Sequence, residues 1–154
     1  MDINKDEMLA AIKEKPGPGI KLTTKKIPQD LQDNEVLINV QATAVCGTDY
    51  HIYTWDDWSK KRIKPPLTMG HEFAGEVIKV GKNVKRVRIG DIVSAETHIV
   101  CGECDFCRTG KSHICQNTKI IGVDTDGSFA EYVKLPAENR SEERRVGKEC
   151  RSRW

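Results

Sequence analysis

Apolar and polar residues alternate along most of the chain between residues 8 and 135, and this rhythm predicts short strands rather than helices. In "EVLINVQA" the apolar positions Val36, Ile38 and Val40 fall on one face. "GEVIKVGKN" and "IGDIVSAE" are apolar runs punctuated by Gly-Lys-Asn and Gly-Asp, residue pairs that favour turns. "GSFAEYVKLP" reads as a further strand that starts at a glycine and ends at Pro136. "KPGPG" at 15–19 is a turn. The best helical candidate is "TDYHIYTWDDWSK", with Thr48 or Asp49 as its N-cap. The pattern predicts a mainly β, barrel-like domain with a cysteine-rich loop lobe set between strands.

Composition narrows the class. A chain of 154 residues suits one domain and is short for two. Its residues are 38% hydrophobic and 31% charged, as in a soluble globular protein, and no apolar run is long enough to span a bilayer. "MDINKDEMLAAIKEK" carries acids and no hydrophobic core of a secretory signal, so the expected compartment is the cytoplasm. Thiols stay reduced there, and clustered cysteines point to metal or chemistry before disulfides. The net charge of +2 gives no basis for a nucleic-acid surface or a membrane partner.

That charge is unevenly placed. "RSEERRVGKECRSRW", residues 140–154, carries +3 and leaves −1 for residues 1–139. It has no apolar periodicity. It reads either as a solvated basic tail or, residue for residue, as the in-frame translation of a sequencing adapter. The second reading is preferred, so the tail and its Cys150 are set aside and the natural sequence is expected to be interrupted after Asn139.

"CGECDFCRTGKSHIC" places Cys101, Cys104, Cys107 and Cys115 within fifteen residues. Short Cys-x-x-Cys steps let a tight turn present neighbouring sulfurs to one ion, and Cys115 closes the fourth side. Four thiolates suit a tetrahedral zinc with no open position, which is a structural site. A redox pair would need two cysteines in a βαβ context, and a zinc ribbon would separate its two knuckles further.

A second set is more dispersed. Cys46 stands in "TAVCGTDYH", and His71 with Glu72 follows in "MGHEFAGEV". A thiolate, an imidazole and a carboxylate offer three ligands and leave a fourth position for water or substrate, the pattern of a catalytic zinc. Taken singly, Cys46 also reads as a buried small hydrophobe and His71 as a core histidine. The HExxH arrangement is excluded because position 75 is Gly75.

"GHEFAGEVIKVGKNV" reads G-H-E-x2-G-x5-G-x2-V and resembles the zinc signature of the medium-chain alcohol dehydrogenases. "VCGTDYH" and the four-cysteine run resemble that family's first metal-ligand region and its structural-zinc lobe. The resemblance spans nearly all of residues 8–139. Within the family, "CGTDYHIYTWDDWS" and "ETHIVCGECDFC" look most like the branch that oxidises L-threonine. The Trp55–Trp58 pair and "THIV" set it apart from the sorbitol and butanediol branches.

The resemblance implies a GroES-like, partly open β-barrel catalytic domain over residues 1–139. In the family a Rossmann domain that binds NAD follows it. No G-x-G-x-x-G occurs in this chain, so that domain is missing. The resemblance also implies that Cys46 and His71 hold a catalytic zinc, with Glu72 as ligand or immediate neighbour. Thr48 would hydrogen-bond the reacting oxygen and His51 would pass its proton to solvent, roles that suit a hydroxyl and an imidazole. Thr48 can equally be a helix cap, and His51 a plain surface residue. The implied substrate is L-threonine, the implied product 2-amino-3-oxobutanoate, and the implied full-length assembly a homotetramer. The present chain alone is expected to be inactive. The alternatives are another zinc alcohol or polyol dehydrogenase, or a stand-alone zinc-binding module.

Weaker candidates complete the reading. His98 lines a pocket or ends a strand. His113 faces solvent inside the cysteine lobe. Trp55 and Trp58 border the site or pack on the barrel, and "KKRIK" at 60–64 is a solvated stretch.

Overall fold

A computed structural model describes residues 6–141 of the chain. Among the described residues ten strands form three sheets, accompanied by three short α-helices and two 3-10 turns. β1 (Glu7–Lys13) pairs antiparallel with β2 (Lys21–Lys26) and with β4 (Leu67–Thr68). β3 (Glu35–Ala44), β5 (Glu72–Val80), β6 (Ile92–Ala95), β9 (Tyr132–Pro136) and β10 (Arg140–Ser141) form the largest sheet, in the order β10-β6-β5-β3-β9. β7 (His98–Ile99) and β8 (Lys119–Ile120) make a two-stranded neck. The result is mainly β and barrel-like, as the alternation predicts, and it does not close fully, as the resemblance implies.

Residues 129–131 join the two larger sheets. Ala11 N–H donates to Phe129 O at 2.7 Å, Glu131 N–H to Leu9 O at 3.1 Å and Val40 N–H to Glu131 O at 2.9 Å. This irregular segment is why "GSFAEYVKLP" yields a strand only from Tyr132 onwards. The joined sheets also explain a departure in β3. Val36 and Ile38 are buried in the main core with Val77, Val93 and Leu135. Leu37, expected on the open face, is buried on the other side with Met8 and Ile27. A strand covered on both faces loses its clean alternation.

The helical candidate splits in two, α1 (Gly47–Thr54) and α2 (Asp57–Arg62). Neither Thr48 nor Asp49 is the N-cap. Cys46 takes that place, and Asp49 sits at the third helical position with its carboxylate accepting the Cys46 N–H at 2.9 Å. That is one half of a capping box. Trp55 ends α1 in the left-handed region, at φ 59°, and turns the chain sharply into α2. Ile52 and Ile63 pin both helices onto a core of Leu67, Met69 and Val123.

Lys13 ties the far end of α1 to the barrel. Its side chain is buried, and Nζ donates to Gly17 O (2.6 Å), Gly19 O (2.8 Å) and Tyr53 O (3.2 Å). Nζ also lies 5.2 Å from the Trp55 ring centroid. A cation at the C-terminal carbonyls of a helix opposes the helix dipole favourably. Burial holds the Lys13 pKa below its usual value.

Arg140 and Ser141, the first residues of the expected foreign tail, pair with Ala95 and Ser94 of β6. The rest of that tail, Cys150 included, lies outside the described residues. Among the described residues no helix is long and apolar enough to cross a membrane, and no Rossmann domain is present.

Candidate metal centres

The cysteine lobe leaves the barrel through the β7–β8 neck, where His98 pairs with Ile120 and Ile99 with Lys119. Inside it, α3 (Asp105–Arg108) begins at Cys104, and a 3-10 turn at Ser112–Ile114 delivers Cys115. The four sulfurs lie within 4.8 Å of one another. Cys115 Sγ is 3.5 Å from Cys101 Sγ and 3.9 Å from Cys104 Sγ. A disulfide needs about 2.05 Å. Ligands about 2.3 Å from a tetrahedral zinc stand about 3.8 Å apart, so the spacing fits a zinc cage.

Backbone N–H groups converge on the same sulfurs. Cys104 N–H points at Cys101 Sγ, and the Cys101 and Asn117 N–H groups at Cys115 Sγ, each at 3.4 Å. Such donors favour thiolates. The Glu103 and Cys104 N–H groups lower the Cys101 pKa to about 6, and the Cys107 N–H lowers that of Cys104. Burial raises Cys107 to about 12. None of the described cysteines is in a disulfide.

The second centre is assembled from two elements. Cys46 caps α1, while His71 and Glu72 lie at the start of β5. Their ligand atoms are within 4.8 Å of one another. Gly70 makes the turn before His71 possible. It has φ +90°, and a Cβ there would run into the Phe129 ring. Gly122 and Gly127 let their backbones close on the Gly70 peptide, which a side chain at either position would displace.

Asp49 is the participant that sequence reading missed as part of this centre. It is 3% exposed and reaches toward both candidate ligands: one oxygen accepts the Cys46 N–H, and the other lies 3.6 Å from Nδ1 of His71, itself 8% exposed. Those two facing atoms, Asp49 Oδ1 and His71 Nδ1, are buried without a hydrogen-bond partner. A metal-bound imidazole directs its other N–H at a carboxylate in this way. The donor set and the waiting Asp49 fit a metal that keeps one position open. The Cys-x-x-Asp spacing of the capping box is the sequence signal that could have revealed Asp49.

Thr48 and His51 follow Cys46 on α1. Thr48 Oγ1 lies 3.9 Å from the Cys46 sulfur. His51 is exposed and pairs through Nδ1 with Asp56 Oδ2 at 2.7 Å. Trp58 meets the His51 ring edge-on at 6.3 Å between centroids. His98 pairs with Glu96 at 2.6 Å and is exposed. His113 is exposed, as expected. In "KKRIK" Ile63 is core, and Arg62 is tied to Asp124 at 2.6 Å rather than free in solvent.

Residues 32–142 match the family described as the alcohol dehydrogenase GroES-like domain. The L-threonine 3-dehydrogenase of Caldanaerobacter subterraneus subsp. tengcongensis is 59% identical over 132 residues, covering 86% of this chain and 38% of its own. That of Pyrococcus horikoshii is 56% identical over 134 residues, covering 87% of this chain and 38% of its own. The chain therefore spans about two fifths of the length of these relatives. A cobalt- and zinc-bound thermostable alcohol dehydrogenase from Pyrobaculum aerophilum superposes with a TM-score of 0.76 at 34% identity, over 90% of this chain and 42% of that one. A protein described as a short chain alcohol dehydrogenase from Escherichia coli CFT073, complexed with NADH, gives 0.78 at 32%, over 90% and 39%.

Proposed function

Because this chain belongs to the alcohol dehydrogenase GroES-like domain family, we propose that it is the zinc-binding catalytic part of an L-threonine 3-dehydrogenase. The observation that carries the reading is the convergence of Cys46, His71 and Glu72 at the head of the helix that bears Thr48 and His51. Names and identities of the relatives favour L-threonine over other alcohols as substrate and 2-amino-3-oxobutanoate as product.

Zinc, when bound by Cys46, His71 and Glu72, supplies Lewis acidity that lowers the pKa of a substrate hydroxyl. NAD, bound by a further domain, supplies the hydride acceptor. The chain's own residues do the rest. Cys46 and His71 fix the donor geometry, and Asp49 orients both. The Thr48 hydroxyl accepts the alcohol proton and hands on its own. The His51 imidazole takes that proton outward to water. The four-cysteine lobe holds a second, structural zinc and stiffens the wall that ends at Ile120.

A stand-alone zinc module is less well supported. The named relatives are dehydrogenases of which this chain matches only 38% of the length, which favours the catalytic part of a longer enzyme. Free thiols at all the described cysteines favour a cytoplasmic, reducing setting. We keep the homotetramer and the boundary after Asn139 as parts of the same proposal; resequencing the source DNA past that codon tests the boundary.

The test of function pairs two proteins. A version extended to the relatives' length should form NADH in step with added L-threonine and lose that activity in Cys46→Ser. The 154-residue chain should bind zinc and show no turnover. Turnover by the short chain, or an extended enzyme indifferent to threonine, overturns the proposal.

A further inference from the structure

The geometry points to Asp56 as the positioning residue of His51: its carboxylate fixes the imidazole as the Nδ1–H tautomer and leaves Nε2 as the atom that takes the proton. The role of Nε2 in catalysis rests on the proposed relay; the tautomer does not.

Three local features produce the pair. His51 is in α1 and Asp56 is the N-cap of α2, so the two would point apart in a continuous helix. Trp55 prevents that. Its left-handed φ of 59° folds the chain back, with the Trp55 and Asp56 N–H groups both directed at His51 O (3.0 and 3.4 Å). A left-handed conformation is uncommon for a bulky residue and is held here by the buried Lys13 beneath the ring and by the core under both helices. The reversal carries Asp56 Oδ2 to 2.7 Å from His51 Nδ1.

The two carboxylate oxygens divide the work. Oδ1 accepts the Ser59 N–H at 2.9 Å and caps α2, while Oδ2 faces the imidazole. The Ser59 N–H, with help from His51, holds the Asp56 pKa below the usual carboxylate value. An ionised carboxylate only accepts hydrogen bonds, so Nδ1 must be the protonated nitrogen. Nε2 then carries the free lone pair. When Nε2 gains a proton the ring becomes imidazolium, and the Nδ1–H bond to Asp56 is strengthened by charge. When Nε2 releases the proton to water the starting tautomer returns. The Trp58 ring, edge-on to His51, limits rotation of the imidazole.

The experiment reads the imidazole nitrogens of the 15N-labelled 154-residue chain by long-range 1H–15N correlation, above the pH of histidine titration. His51 is assigned by comparison with His51→Gln. The expected wild-type result is a protonated Nδ1 and a bare Nε2. In Asp56→Asn the amide still caps α2, since asparagine is as good an N-cap as aspartate. Its NH2 now donates to Nδ1, so the tautomer should invert to Nε2–H. Asp56→Ser also keeps the cap and should give a mixture, which covers the case in which the asparagine variant does not fold. A wild-type His51 in the Nε2–H form, or one unchanged in both variants, overturns the proposal. If the tautomer behaves as expected but His51→Gln leaves turnover of the extended enzyme intact, the relay reading fails and the positioning stands.

Discussion

Asp49 Oδ1 and His71 Nδ1 face each other across 3.6 Å, both buried, while the second oxygen of Asp49 holds the Cys46 backbone. One carboxylate thus lies against two candidate ligands that are 25 positions apart in the chain. Asp49→Ala should lower zinc affinity at this centre by about 10–100-fold. It should also cost about 1 kcal/mol of stability, because the part-buried Cys46 N–H loses its acceptor. Competition with a chromophoric chelator measures the first effect and urea denaturation the second. Unchanged affinity would show that the pair is packing alone.

The cysteine lobe makes a separable prediction. Cys104→Ser should reduce bound zinc from about two ions per chain to about one, and hydrogen exchange should quicken across 101–117 while the β3–β5 core stays protected. Elemental analysis and exchange mass spectrometry read these together. Full loss of both ions would mean that the two centres do not load independently.

Gly70→Ala places a Cβ where the Phe129 ring lies, on a backbone at φ +90°. Strain and overpacking together should cost about 2–4 kcal/mol. A drop of that size in the unfolding free energy from urea denaturation is the expected outcome, with zinc at the Cys46 centre weakened because His71 is the next residue. Phe129→Ala in the same chain should recover part of the overpacking cost.

Acid should loosen the β1–β4 end of the barrel first. Asp126 accepts the Thr68 N–H at 2.8 Å and Lys25 Nζ at 2.6 Å. Burial works against its charge, yet these partners prevail and leave its pKa below the usual value. With the folded pKa depressed, its stabilising contribution is complete above the unfolded carboxylate value near 3.8 and is lost as pH falls through the folded one. Asp126→Asn should therefore flatten the pH dependence of stability on the acid side. Thermal melts across that range check the slope.

The sequence was informative where chemistry is local and less so where it depends on packing. Cys101, Cys104, Cys107 and Cys115 could be read as a cage because all four ligands lie in one run. Cys46 and His71 were recognisable by motif. Asp49 was not, because its second contact exists only after β5 folds against α1. Leu37 defied the alternation for the same reason: a second sheet covers its face. A helix over 48–60 was visible, but its break at Trp55 was not, since nothing about a tryptophan announces a left-handed turn. Lys13 gave no sign of being buried, because its acceptors are carbonyl oxygens brought together by the 15–19 turn and the end of α1.

Lys13 grips one end of α1 and Asp49 the other, and the core beneath is supplied by Ile63, Leu67, Met69 and Val123. These contacts, which aim Thr48 and His51, are all drawn from the stretch between Lys13 and Val123. A ribosome that has released that stretch has already released all that the helix needs to take its pose. The pose of the helix that bears Thr48 and His51 thus draws on residues that leave the ribosome before β9 does.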